Sequence, residues 1–171
     1  MAVREGALSR LDSFIRRMRA QRLCLEAAAA LVADRPGPII DLGIGAGRTF
    51  DHLAALFPDR AVFAFDNFVH SAIDVLPPPE RMVMGDIRDT LPRAADRLGA
   101  PAALIHNDLG SADATGNAAV AAWLAPAIMA IARADAVVVT SFRLPLVARD
   151  HPLPGGVRPG RYHIMERVPG N

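Results

Sequence analysis

Asp41-Leu42-Gly43-Ile44-Gly45-Ala46-Gly47-Arg48-Thr49 is the stretch on which the fold turns. It follows an apolar run, Pro38–Leu42, and opens a stretch of helical pattern, Arg48–Phe57. Strand, glycine-rich turn and helix in that order begin a βαβ unit. Glycine at alternate positions lets the backbone turn sharply and come close to a ligand where a Cβ would obstruct it. The helix start behind the turn offers free N–H groups and the positive end of its peptide dipoles. Two known loops of this kind do not fit. A nicotinamide-dinucleotide fingerprint needs Gly or Ala three residues after its second glycine, where Arg48 stands. A Walker loop needs lysine, and all the basic side chains of this chain are arginine.

Outward from the loop, short apolar runs alternate with helical stretches. Strands are expected at Pro38–Leu42, Ala61–Asp66, Arg81–Asp86, Ala102–Asp108 and Ala136–Ser141, and helices at Arg48–Phe57, Val69–Leu76, Thr90–Leu98 and Ala114–Arg133. Several strands are apolar throughout, as in a parallel sheet covered on both faces. The fold class is α/β, a doubly wound, mostly parallel, Rossmann-like sheet with right-handed crossovers. Before it, residues 1–36 hold a long helix, capped by Ser9 with Asp12 three residues on, and ended by Arg35-Pro36-Gly37. Leu8, Leu11, Ile15, Met18, Leu25, Ala29 and Val32 form its apolar stripe. The proline-rich stretch 142–160 reads as loop, and Arg161–Val168 as one last strand whose arginines, His163 and Glu166 suit a sheet edge. The chain thus divides into an N-terminal helix (1–36), a core (37–141) and a C-terminal loop and strand (142–171) of one domain.

Composition bounds the function. A chain of 171 residues makes one domain with a sizeable core. With 51% hydrophobic residues and a net charge of +1, it is not a disordered chain. The single cysteine, Cys24, makes no internal bridge and fits a reducing compartment. No signal-like apolar segment opens the sequence, and the apolar run 118–132 is short for a membrane helix, so a cytoplasmic protein without membrane partners is expected. Without lysine, Schiff-base chemistry is excluded. The small net charge also argues against a dedicated nucleic-acid binder. Arg10, Arg16, Arg17, Arg19 and Arg22 nevertheless make the first helix basic, a solvated face or a means of steering an anionic acceptor.

The D-x-G-x-G-x-G loop with an acid at the strand end resembles motif I of the class I S-adenosylmethionine-dependent methyltransferases. Three more acids fall where that resemblance puts them. Asp66 ends the second strand, where the family binds the two ribose hydroxyls, and a carboxylate is suited to a vicinal diol. Asp86, in Gly85-Asp86-Ile87, stands where an aspartate meets the adenine amino group. Asp108, in Ile105-His106-Asn107-Asp108, resembles motif IV, beside the donor methionine and the acceptor. The resemblance covers residues 37–141. It implies S-adenosylmethionine as cofactor, shaped by Gly43, Gly45 and Gly47, with Asp41 orienting the donor amino group. Arg48, Asn67, Ile87 and Asn107 complete the cofactor set, and Asp108 and His106 are the candidate bases for in-line methyl transfer to an unidentified small-molecule acceptor.

Departures narrow this. The family follows its fifth strand with a helix and a two-strand hairpin; 142–168 is short, so the helix and one strand are expected to be missing or reduced. The motif IV of amino-directed nucleic-acid methylases is absent, as is the Pro-Cys pair of cytosine C5 enzymes. Metal-dependent O-methyltransferases add ligands at the end of strand five, where this chain has Thr140-Ser141, so no metal is expected. His52, His151, Phe68 and Trp123 have ordinary structural readings. A catalytically idle S-adenosylmethionine-binding module on the same fold, and an NAD-binding oxidoreductase, remain open from the residues alone. A homo-oligomer, dimer or tetramer, is expected from the stripe on the first helix and an uncovered final strand.

Overall fold

The structure is a computed structural model describing residues 8–69 and 72–168. Its centre is a seven-stranded sheet in the order β3-β2-β1-β4-β5-β7-β6. The strands are β1 (Ile39–Leu42), β2 (Val62–Asp66), β3 (Met82–Met84), β4 (Ala102–Asn107), β5 (Ala132–Thr140), β6 (Ala148–Asp150) and β7 (His163–Arg167). The first five pair in parallel, and β7 runs antiparallel between β5 and β6. Helices α1 (Arg10–Leu31) and α2 (Arg48–Leu56) cover one face; the short α3 (Ile87–Thr90) and α4 (Ala95–Leu98) with the long α5 (Ala114–Ile131) cover the other. Alternate residues serve the two layers. Ile40, Phe63, Ile105 and Val138 pack toward α5, and Ile39, Val62, Leu104 and Val137 toward α1 and α2. The doubly wound expectation holds.

Four local expectations need correction. The helix expected over Val69–Leu76 is loop among its described residues, and residues 70 and 71 lie outside them. The helix expected over Thr90–Leu98 is broken into α3, a 3-10 turn (Leu91–Arg93) and α4, with Pro92 at the turn. The apolar stripe on α1 is buried only in its second half. There Ala20, Gln21, Cys24, Leu25 and Ala28 face the sheet, whereas Leu11 is 67% and Ile15 53% exposed where the helix runs past the carboxyl ends of the strands. The C-terminal hairpin is present after all. Residues 148–150 form β6 against Ala148↔Arg167 to Asp150↔Met165 of β7, so only the intervening helix is missing. Three residues flanked by prolines give too little alternation to be read as a strand.

It follows that β7 is an interior strand, not an edge. Its Glu166 is buried and works as an ionic hub rather than an edge guard. Its Oε1 lies 3.1 Å from Arg35 Nη2, while its Oε2 takes hydrogen bonds from Arg149 Nη2 at 2.5 Å and His151 Nε2 at 2.6 Å. Burial alone would push the carboxyl up, but the bonds from Arg149 and His151 and the charge of Arg35 outweigh it and hold the pKa below its ordinary value. The hub joins the turn after α1 to both hairpin strands. Ser9 caps α1 as expected, accepting from Asp12 N–H at 3.0 Å. By length and composition α5 is the one helix among the described residues that would reach across a membrane, yet Ala121, Leu124, Ala125, Ile128 and Ile131 are buried on the sheet.

Glu166→Gln is expected to lower stability by about 1–3 kcal/mol at neutral pH, the scale for leaving hydrogen-bonding partners of a buried group unmatched. A depressed carboxyl pKa contributes stability that is present above the ordinary value of 4.5 and is lost as pH falls through the lowered pKa. Thermal melts across that acid range should therefore converge for wild type and variant. A constant separation between them would show that the charge of Glu166 is not what stabilises the hairpin.

Candidate cofactor and acceptor site

Register aligns the carboxyl ends of the parallel strands. Leu42 pairs with Phe65 on one side and with Asn107 on the other, and Asn107 with Thr140. Gly43 N–H then donates to Phe65 C=O at 2.9 Å and Asp108 N–H to Leu42 C=O at 3.0 Å, so the glycine loop leaves the sheet between β2 and β4. Gly43, Gly45 and Gly47 all have positive φ, at 85°, 51° and 81°. At Gly47 a Cβ would stand 1.9 Å from the carbonyl oxygen of Val75, because the loop after β2 folds across this end of the turn. Arg48 fastens that loop through a 2.8 Å bond from its Nε to Asp74. At Gly45, by contrast, a Cβ would meet nothing within 4 Å. The cradle is open there.

Asp66 bridges the cradle to β2. Its Oδ2 accepts from Ile44 N–H at 2.9 Å and Gly45 N–H at 3.5 Å, and its Oδ1 from Asn67 N–H at 2.8 Å and Phe68 N–H at 3.2 Å. The two long bonds are the weak ones. Asp86 caps α3 through Oδ1, accepting from Arg88 N–H at 2.9 Å, with Ile87 buried behind it. These acids stand at successive strand ends as expected.

Three other candidates are placed differently. Asp41 is fully buried beneath the loop. Its Oδ2 accepts from Thr49 Oγ1 at 2.8 Å and its Oδ1 lies 2.7 Å from His106 Nδ1, so both oxygens are engaged within the protein. His106 is also fully buried, with its Nε2 3.3 Å from Gln21 Nε2 on α1. With a carboxylate on one nitrogen and an amide on the other, both ring nitrogens are engaged and the buried ring offers no face to an acceptor. Asn107 is buried likewise; it donates to Thr140 Oγ1 at 3.0 Å and accepts from Leu109 N–H at 3.1 Å.

Asp108 alone of the motif IV residues reaches an opening, a cleft of about 300 Å³ also lined by Arg17, Ser111, Ser141, Arg161 and Tyr162. The Tyr162 phenol is 1% exposed and its hydroxyl has no hydrogen-bond partner. Burial, then the charge of Asp108, pushes its pKa up, while Arg17 and Arg161 pull the other way.

A protein-family model described as S-adenosyl-L-methionine methyltransferase matches residues 8–167. The chain belongs to this family. A solved S-adenosyl-L-methionine methyl transferase from Silicibacter pomeroyi DSS-3 is 40% identical, with 94% of this chain and 99% of that one covered at a TM-score of 0.84. Two more distant structures share the fold. TrmN from Thermus thermophilus is 18% identical over 91% of this chain and 52% of its own, at a TM-score of 0.59. Human methyltransferase-like protein 13, in complex with SAH, is 16% identical over 90% of this chain and 81% of its own, at 0.54. No curated protein matches the chain. The protein is therefore an S-adenosylmethionine-dependent methyltransferase.

Gln21 and Tyr162 are the site residues that sequence reasoning missed. Gln21 interrupts no motif and shows itself only once α1 is seen packed on β4. Tyr162 carries one hint, being the single tyrosine of the chain.

Asp66→Ala is expected to weaken S-adenosylmethionine binding by roughly 1–3 kcal/mol in calorimetry. An unchanged affinity would remove Asp66 from the cofactor site.

Proposed function

We propose that this methyltransferase acts on a small-molecule acceptor presented to Asp108. The carrying observation is that Asp108, unlike Asp41, Asp66 and Asp86, makes no side-chain hydrogen bond among the described residues and borders the cleft. A volume of about 300 Å³ is the lower end for ligand pockets and suits a small molecule rather than a polymer.

Bound S-adenosylmethionine supplies a methyl group on a cationic sulfonium, whose charge disappears as the methyl leaves. Little leaving-group stabilisation is then asked of the protein, and alignment supplies much of the acceleration. In this reading Gly43, Gly45 and Gly47 shape the cofactor site, Asp66 holds the ribose hydroxyls, and Asp86 with Ile87 holds the adenine. Arg48 and Asn67 stand at the rim. Asp108 orients a hydroxyl acceptor for in-line attack and takes its proton. His106, through Asp41 and Gln21, keeps the β4 end and the glycine loop in register. No acidic or amide ligand stands at Thr140-Ser141, and the reaction is read as metal-independent.

Cys24 supports a cytoplasmic setting, being free, buried and pushed up to about 11 by burial, hence an unreactive thiol. Self-association is supported by α1, whose Leu11, Phe14 and Ile15 are exposed together.

Formation of S-adenosylhomocysteine over a panel of small acceptors tests the assignment. Asp108→Asn is expected to cut turnover on an oxygen acceptor by about 10²–10⁴-fold, the range for a positioned acid or base, with cofactor affinity kept. A chelator should leave the rate unchanged, and magnesium rescue of a chelator-dead enzyme would overturn the metal-free reading. In sedimentation a dimer or tetramer is expected, and a single species near 18.2 kDa would refute self-association.

A further inference from the structure

Beside the Asp108 cleft lies a second hollow, of about 430 Å³, between the first half of α1 and the loop before β7. Arg16, Arg19, Arg158 and Arg161 line it, and Arg161 lines the cleft as well, so the two openings adjoin. Elsewhere on the molecule several arginines are matched with acids, as in Arg22–Glu26, Arg48–Asp74, Arg133–Asp135, Arg143–Asp150 and Arg149–Glu166. Others are held by backbone carbonyls, as Arg60, Arg97 and Arg167 are, and Arg81 and Arg88 lie over the rings of Phe63 and Trp123. These four have no ion pair and no side-chain hydrogen bond among the described residues. Arg17, on the cleft side, has only the ring of Phe14, 6.0 Å away. A chain of net charge +1 thus gathers five uncompensated guanidinium groups around one concavity, against the single carboxylate of Asp108.

Tyr162 adds an independent sign. A buried hydroxyl without a partner is disfavoured, and in native proteins such groups are rare unless something else satisfies them. Its hydroxyl is held among the charges of Asp108, Arg17 and Arg161, and its raised pKa keeps it a neutral donor at pH 7.

We infer that the two hollows form one acceptor site that takes a small molecule bearing a carboxylate or phosphate, gripped by Arg16, Arg17, Arg19, Arg158 and Arg161 and touched by the Tyr162 hydroxyl. Guanidinium forks match both anions, which is why arginine rather than lysine suits this task. The anionic group sits on the arginines and the reacting atom on the Asp108 side. This assignment rests on the reading of Asp108 as the acceptor end. The confined volumes favour a compact anion over a nucleic-acid strand, whose phosphates would be met by an open stripe.

The test is calorimetry on the full chain saturated with S-adenosylhomocysteine, with inorganic phosphate, malonate and a ten-nucleotide RNA as probes. Phosphate or malonate is expected to bind one per chain, whichever of the two binds more tightly naming the acceptor's anion. The Arg17→Ala/Arg161→Ala variant should lose at least tenfold in affinity and Tyr162→Phe several-fold. Arg93→Ala, on the opposite face, should change nothing, which controls for net charge. Absence of binding by either small anion, equal binding in the Arg17/Arg161 variant, or tight binding of the RNA alone would overturn the inference. The prior saturation step keeps the failures apart. A wild-type chain that does not take up S-adenosylhomocysteine fails at the cofactor, while one that takes it up and ignores the anions fails only here. Should the anions bind as expected and Asp108→Asn leave turnover intact, the anion site would stand and the role of Asp108 would fall.

Discussion

A carboxylate buried without water must be hydrogen-bonded, and the way Asp41 meets that requirement organises the site. It stands at the end of β1 with no exposure, and its two oxygens are answered from two directions, Thr49 of α2 and His106 of β4. His106 in turn is answered by Gln21 of α1. Four elements, α1, β1, α2 and β4, are thereby held at one point under the glycine loop. Removing any member would leave a buried polar group unmatched, so the network is satisfied as a whole or not at all. The loop that cradles the cofactor and the strand end that presents Asp108 cannot shift independently, because the same histidine ring spans both.

This arrangement explains why neighbouring residues of one motif do different work. Along β4 side chains alternate between the two faces. His106 points to the α1 layer, where there is no solvent, and Asn107 is turned into the joint with β5, where Thr140 and the Leu109 N–H occupy it. Only Asp108, just beyond the last paired residue, leaves the sheet. Position within the pleat separates the acid that borders the cleft from the two polar residues enclosed beside it.

The same geometry shows which features were legible in the sequence. The strand ends at Leu42 and Asp66, the glycine loop, and the layered parallel sheet were legible because each rests on a local signal, an apolar run closed by a glycine or an acid. The readings that failed depended on distant partners. Leu11 and Ile15 have helical spacing, yet whether a face is buried depends on where the sheet ends, and the sheet ends before them. Residues 148–150 form a strand only because β7 offers an unpaired edge, and Val69–Leu76 avoids helix where Val75 and Asp74 are engaged over Gly47 and Arg48. Asp41 and His106 looked like exposed chemistry for the same reason. Their identities were plain, but a one-dimensional reading cannot tell a group that faces a ligand from one that faces Gln21 across 85 residues of sequence separation.

The missing helix between β5 and β6 then has a structural consequence. In its absence the wall of the cleft beside Asp108 is made by what remains nearby, the first half of α1 and the loop that leads into β7. That half of α1 contributes little to the core, and its apolar side chains are left outside. Its residues are therefore free of the packing demands that fix Ala20 to Ala28, and arginines stand there without acids to neutralise them. Two other arginines, one just after α1 and one in β6, do the opposite. Arg149, with Arg35 and His151, is committed to Glu166 and fastens the hairpin. Fastening the hairpin sets Tyr162, one residue before β7, against Asp108. Paired arginines build the frame, and the unpaired ones give the opening its charge.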